Sequence, residues 1–111
     1  MSADIARRPG ALRTRATLEA RTEVPDGAGG TDPVWATEAE VWVNVAPVKA
    51  ASALPAEGRR QEVTHTVTLR HRDGVSIRKR FRVGTRIFEI RAVHDPDERG
   101  VFLECQCEEQ S

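Results

Sequence analysis

The stretch that decides the fold is residues 63–71, Val63-Thr64-His65-Thr66-Val67-Thr68-Leu69-Arg70-His71, followed after a turn by residues 75–93, "VSIRKRFRVGTRIFEIRAV". In the first run Val63, His65, Val67, Leu69 and His71 alternate with Thr64, Thr66, Thr68 and Arg70. In the second, Val75, Ile77, Phe81 and Val83 alternate with Ser76, Arg78, Arg80 and Arg82, and Phe88, Ile90 and Ala92 then alternate with Glu89 and Arg91. A period of two sends successive side chains to opposite faces, the signature of a half-buried strand. The pattern extends outward from there. Val101, Leu103, Cys105 and Cys107 alternate with Glu104 and Gln106. Trp35, Ala39, Val41, Val43 and Val45 alternate with Glu38, Glu40 and Asn44. Leu12, Thr14, Ala16, Leu18 and Ala20 alternate with Arg13, Arg15, Glu19 and Arg21. Six strands predict an all-β chain folded as a small six-stranded antiparallel barrel or sandwich.

The connections constrain the pairing, because residues facing each other in an antiparallel pair share a side of the sheet. A three-residue loop, Arg72-Asp73-Gly74, would pair His71 with Val75, Leu69 with Ile77 and His65 with Phe81, with Gly74 left-handed. A two-residue type II′ turn at Gly84-Thr85 would pair Phe81 with Phe88. Residues 95–100 read as a longer polar turn. The expected result is a four-stranded meander over residues 63–107, with the first two strands covering its apolar face. The rest divides into a flexible N-terminal arm (residues 1–10) and a single domain (residues 11–109) with two loops. One, residues 24–34, is glycine-rich. The other, residues 46–58, is alanine-rich and bounded by Pro47 and Gly58. It has room for about one helical turn around residues 50–54 before Pro55 stops it.

The chain has 111 residues, one domain's worth, with 17 basic and 17 acidic groups and no net charge. At 39% apolar and 31% charged it is globular rather than disordered. No apolar run is long enough for a membrane span, so no membrane partner is expected. The first residues lack the apolar core of a secretory signal, and two cysteines are too few for a disulfide scaffold. Zero net charge conceals four blocks: +3 over residues 1–21, −5 over 22–58, +7 over 59–91 and −5 over 92–111. Such blocks either neutralise one another within the fold or give a surface with a basic and an acidic side, suited to head-to-tail association.

Catalytic and metal signals are thin. Cys105 and Cys107 point the same way on a strand, but a lone Cys-x-Cys lacks the second pair of ligands that structural zinc uses. His65 and His71 lie in an apolar row with no nucleophile or orienting acid and read as core-edge residues. Gly27-Ala28-Gly29-Gly30 precedes neither Lys-Ser/Thr nor a helix, so it is no phosphate loop. No enzymatic activity and no cofactor or metal are expected. Arg78, Arg80 and Arg82 form one stripe opposite the core, which would suit either phosphate contact or a solvated strand face. A small nucleic-acid-binding barrel is thus the alternative function, although Phe81 and Phe88 are needed inside and no Tyr offers a stacking platform. Trp42 lies on the polar side of its strand beside Glu38, Glu40 and Asn44. Ile87 and Val93 are also out of phase in theirs. An outward Trp with stray aliphatics suggests an interface patch.

The order of these features resembles the phage head–tail joining proteins, also called head-closure or stopper proteins, including those of gene transfer agents. The resemblance runs from Leu18 to Cys107. It rests on "DGAGGTDPVW" (residues 26–35), "VWVNVAPV" (41–48), "THTVTLRHRDGV" (64–75) and "GTRIFEIRAVHDPDERGVFLECQCEE" (84–109). Family members often carry Tyr where Phe88 and His71 stand. The resemblance implies a β-barrel subunit of a homo-oligomeric ring, a hexamer ahead of a dodecamer. The ring lies at the head–tail junction of a virion or gene transfer agent particle, assembled in the bacterial cytoplasm. Its partners would be the adaptor or portal-side ring, the tail or tail-terminator protein, and packaged DNA in the channel. By position, the channel-facing loop would include Pro47, Lys49, Ser52, Leu54, Pro55 and Glu57. Contacts between subunits or rings are expected at Trp42, Glu38, Glu40, Arg78, Arg80 and Arg82, and loop contacts at Asp26, Gly29, Gly30 and Trp35.

Overall fold

The computed structural model describes residues 11–56 and 59–110, with side chains described outside residues 49–61. Six strands follow in order: β1 (Thr14–Pro25), β2 (Thr31–Ala56), β3 (Arg59–Arg70), β4 (Lys79–Val83), β5 (Arg86–His94) and β6 (Phe102–Gln110). They close into an antiparallel barrel in the spatial order β1-β2-β3-β6-β5-β4. The all-β barrel expected from the alternation is therefore present.

The core is built from the alternating rows. Val43 faces Leu69, which faces Leu103; Val67 faces Cys105; Cys107 faces Ile90; Phe88 faces Phe81, which faces Leu18. Each of these side chains is buried. Around the barrel they form a continuous belt of apolar cross-strand pairs, the unit by which sheets gain stability. The β4–β5 turn is as expected. Phe81 pairs with Phe88, and Gly84 takes a φ of 62°, the left-handed entry of a type II′ turn.

The expected meander is wrong. β3 pairs with β2 and β6, while β4 pairs with β1 and β5. Leu69 therefore faces Leu103 rather than Ile77. Facing parity could not choose between these partners, because every strand here carries the same alternation and several pairings match apolar to apolar. The order β4-β1-β2-β3 is a Greek key, in which the fourth strand returns beside the first. Residues 71–78 make that return. His71 N donates to Val101 O at 2.9 Å, and Val75 packs against the core from the connection. Gly74 is left-handed (φ 90°), as expected, but in this connection rather than a hairpin. Ile77 is 54% exposed and belongs to no strand.

Two bulges reset the phase. The β1–β2 register runs from Leu18↔Ala39 to Glu19↔Thr37, leaving Glu38 as the extra residue. Beyond it Trp35 moves to the outer face, opposite the side its alternation implied. The β5–β6 register skips Arg91, so Val93 pairs with Cys105 and packs on the core, while Ala92 pairs with Gln106. A bulge adds one residue to one strand and so inverts the in–out order beyond it.

Two hairpin arms leave the barrel at opposite ends. β1 pairs with β4 only up to Ala20, so residues 21–25 and 31–35 pair with each other alone. At the other end β3 meets β6 only from His65 onward, so β2 and β3 pair alone from Ser52↔Val63 to Ala56↔Arg59. The segment read as a loop with one helical turn is thus mostly strand. An irregularity between Pro47 and Ser52 marks its departure from the barrel. Alanine and proline gave it no alternation to read. At 26 residues β2 would run roughly 85 Å if straight, against a longest molecular dimension of 51 Å. The strand must bend, and its irregularities at Glu38 and after Pro47 are where the register breaks.

Candidate assembly surfaces

The outer face of β1 and β4 holds a charged cluster that sequence reasoning missed. Glu19 is only 5% exposed although it faces outward. Its two carboxylate oxygens accept from Arg80 Nε at 2.7 Å and Arg82 Nε at 2.9 Å. Burial alone would push its carboxyl up, but the bonds from Arg82 and Arg80 outweigh that and hold it below the usual carboxylate range. The Arg80 guanidinium also lies 4.0 Å from the centroid of the Trp35 ring, a cation–π contact worth about 1 kcal/mol. Trp35 is where it is because of the Glu38 bulge. The signal for Glu19 was a charge in the polar row of β1, and it becomes readable only once β1 is known to pair with β4.

This cluster changes the basic stripe. Arg80 and Arg82 are drawn onto Glu19 rather than standing free, and Lys79 Nζ reaches Glu38 at 2.7 Å. Arg78 is not on a strand. It sits in a turn with φ 75°, exposed, and with no ion pair among the described residues.

Trp42 is outward and 52% exposed, as its phase implied. The Arg15 guanidinium lies 5.1 Å from its ring centroid and also pairs with Glu40 at 3.3 Å. Both partners of that ion pair are more than half exposed, so it contributes little. The patch formed by Trp42, Arg15 and Glu40 remains open to solvent.

The tip of the β1–β2 arm is organised by Asp26. Its Oδ1 accepts from Ala28 N at 2.7 Å and Gly30 N at 3.1 Å, and its own N donates to Gly30 O. The bond from Ala28, then that from Gly30, holds its carboxyl below the ordinary value. Gly29 has φ 88°, and a Cβ at Gly30 would come 3.0 Å from Asp26 Oδ2. Asp26, Gly29 and Gly30 therefore shape the turn, while Trp35 lies at the foot of the arm in the charged cluster.

Of the channel-facing residues, Pro47 is exposed where β2 leaves the barrel, opposite His65. Ser52, Leu54 and Pro55 lie on the β2 side of the lower arm, where Ser52 faces Val63 and Leu54 faces Gln61. Lys49 lies between Pro47 and Ser52 in the irregular stretch, and Glu57 lies outside the described residues. His65 sits at the root of this arm. Its ring meets Phe88 edge-on at 5.1 Å, Nδ1 lies 2.9 Å from Thr64 Oγ1, and Nε2 is 3.8 Å from Glu109.

The charge blocks meet across the fold. Arg86 holds Glu109 with two bonds, and Arg91 pairs with Glu108 at 2.7 Å and Glu89 at 3.2 Å. Together with Glu19–Arg80, Glu38–Lys79 and Arg15–Glu40, these contacts join all four blocks. Cys105 and Cys107 are free thiols buried in the core. Burial pushes Cys105 up to about 12 and Cys107 in the same direction, which suits inert core residues rather than ligands. No group of three metal-binding side chains occurs among the described residues.

Comparison with known proteins supplies the context for these surfaces. A chain in the solved structure titled "Virion of native gene transfer agent (GTA) particle" is similar at 33% identity with a TM-score of 0.66. The match covers 93% of this chain and 98% of that one. No curated protein sequence matches. The pattern of the family described as phage head completion protein matches residues 7–110. A match over nearly the whole chain, on a barrel built as that resemblance implied, leads to one assignment: the chain belongs to the phage head completion protein family.

Proposed function

We propose that this chain is a structural component of the head of a phage-like particle, and that its copies form a ring joining head to tail. The observation that carries the reading is the family match over residues 7–110, supported by the likeness to a chain of a gene transfer agent virion. The fold suits the role. A closed barrel gives a rigid body, and two hairpin arms at opposite ends give it reach toward neighbours on either side. The lower arm, β2 and β3 beyond Pro47, is the element that faces the DNA channel in this reading. A ring repeats that arm in every subunit, so contacts too weak singly add up around the axis. The adaptor or portal-side ring and the tail are the neighbours above and below.

Nucleic-acid binding by the outer stripe is less well supported. Arg80 and Arg82 are committed to Glu19, and Phe81 and Phe88 are buried, so no aromatic platform accompanies the stripe.

The test is to remove residues 50–57 and join the strands with a short turn. The expected particles fill with DNA but lose it, or fail to acquire tails. Filled and tailed particles from the deletion would rule out the closure role of the arm.

A further inference from the structure

Among the described residues, two that are not glycine hold a left-handed backbone, Arg78 (φ 75°) and Glu98 (φ 56°). They have opposite charges, and both lie in exposed turns at the same end of the barrel. Arg78 is the third residue of a turn closed by Lys79 N donating to Ser76 O at 3.4 Å. Glycine is the ordinary occupant of a left-handed third position, and a side chain there costs on the order of 1 kcal/mol. The turn is nevertheless held firmly, because Lys79 Nζ bonds both the Gly74 carbonyl and the Glu38 carboxylate. It presents Arg78 beside Ile77, which is 54% exposed. Both residues line a cleft of about 660 Å³ whose other walls include Trp35, Arg21 and Arg91.

Glu98 is fixed just as firmly. Its N donates to Asp95 O at 3.2 Å, while the Asp95 carboxylate accepts from Gly100 N at 2.6 Å and Asp97 N at 3.2 Å. The same turn leads into Val101, which is 42% exposed. Neither the Arg78 nor the Glu98 side chain has a hydrogen bond or ion pair among the described residues. Most cations nearby are already engaged with a carboxylate, including Arg21, Lys79, Arg80 and Arg91. Strained residues in rigid turns, each an unpaired charge beside an exposed aliphatic, are a pattern that folding alone does not call for.

We infer that the two turns are the two halves of one head-to-tail contact between copies of this chain. Ile77 and Arg78 of one copy meet Glu98 and Val101 of the next. A ring requires such a contact to join two different, complementary patches of the same subunit. These patches are complementary in charge, and each places an aliphatic group beside its charge. Because both lie at one end of the barrel, rotation about an axis running along the barrel can bring them to one level. The inference rests on the ring reading above and names the residues that close it.

The test uses assembled particles carrying the double variant R78C/E98C. The native thiols are buried, so the introduced ones are the reactive pair. A flexible bis-maleimide, which reaches further than the roughly 7 Å between Cα atoms that a disulfide allows, is expected to give a ladder of cross-linked multimers on a denaturing gel, and either single variant should give none. A ring visible at the junction by electron microscopy with no ladder would overturn this contact while leaving the ring reading intact. Particles with no ring of this chain at the junction would remove the ring reading, and this contact with it. Should the cysteine variant fail to assemble, charge reversal decides. R78E and E98R are each expected to lower the yield of tailed particles about tenfold, and the combined reversal to restore most of it. A combined variant no better than either single one would overturn the contact.

Discussion

Replacing Glu19 by glutamine tests the outer-face cluster, and its cost can be worked from the geometry. The Glu19 side chain is 7% exposed and binds Arg80, itself 20% exposed, and Arg82, 42% exposed. A hydrogen bond to a charged group contributes about 1.5–3 kcal/mol when shielded. The Arg80 bond belongs near the lower figure. The Arg82 bond is open to water and counts for about 0.5 kcal/mol. Glutamine keeps one acceptor and no charge, so the net loss expected for E19Q is about 1.5 kcal/mol. In urea, with m near 1.5 kcal/mol/M for a domain of this size, the midpoint should fall by about 1 M with m unchanged. The pH dependence gives a second reading. The carboxyl of Glu19 is held below its ordinary value of 4.5 in the folded protein. Its contribution is therefore present above the unfolded value and is lost as pH falls through the folded one. The gap between the wild-type chain and E19Q should be full at pH 7 and close as pH drops below about 4.5. A midpoint unchanged within error, or a gap constant between pH 7 and pH 3, would refute the reasoning.

Other outcomes follow from the same geometry. F81A removes a fully buried ring that faces both Leu18 and Phe88, and denaturant unfolding should record a loss of about 3–5 kcal/mol. V93D places a charge against the core because of the Arg91 bulge. It should cost about 2 kcal/mol or more, whereas an outward Val93 would tolerate the change. Cys105 and Cys107 should resist a thiol reagent at pH 8 in the native state and react fully in denaturant; fast native labelling would contradict their burial. A Gly84→Ala change at φ 62° should lower stability by about 1 kcal/mol, measured by thermal melting, because no contact limits the added methyl and only the backbone objects.

The alternation of Val67, Leu69, Phe81, Phe88, Ile90, Leu103 and Cys105 made the barrel class and the core legible in the sequence. The Gly84 turn was legible too, since a two-residue connection between two apolar phases has few solutions. Strand partners were not, because parity is a local property and each row matches several others. The bulges at Glu38 and Arg91 were invisible for a related reason. A single extra residue leaves composition unchanged while inverting the side on which Trp35 and Val93 lie. The lower arm was hidden because its alanine- and proline-rich β2 side carries no alternation to read, although its strands pair with each other beyond the barrel. Of the expected contact residues, Trp42 stayed exposed. Arg80, Arg82 and Glu38 proved to be engaged within the chain, which only the β1–β4 pairing and the bulge could reveal. Arg78 stood apart from its stripe because of a backbone angle that no residue pattern announces.

The four charge blocks meet through pairs such as Arg86–Glu109, Arg91–Glu108 and Arg80–Glu19.

The central claim is that copies of this chain form the ring between head and tail. Electron microscopy of assembled particles, with this chain carrying a small tag at its N-terminus, tests it most directly. The account predicts a closed ring of barrels at the head–tail junction, with the β2–β3 arm of every copy directed toward the DNA channel. Tagged density elsewhere in the particle, or a junction without this chain, would contradict it.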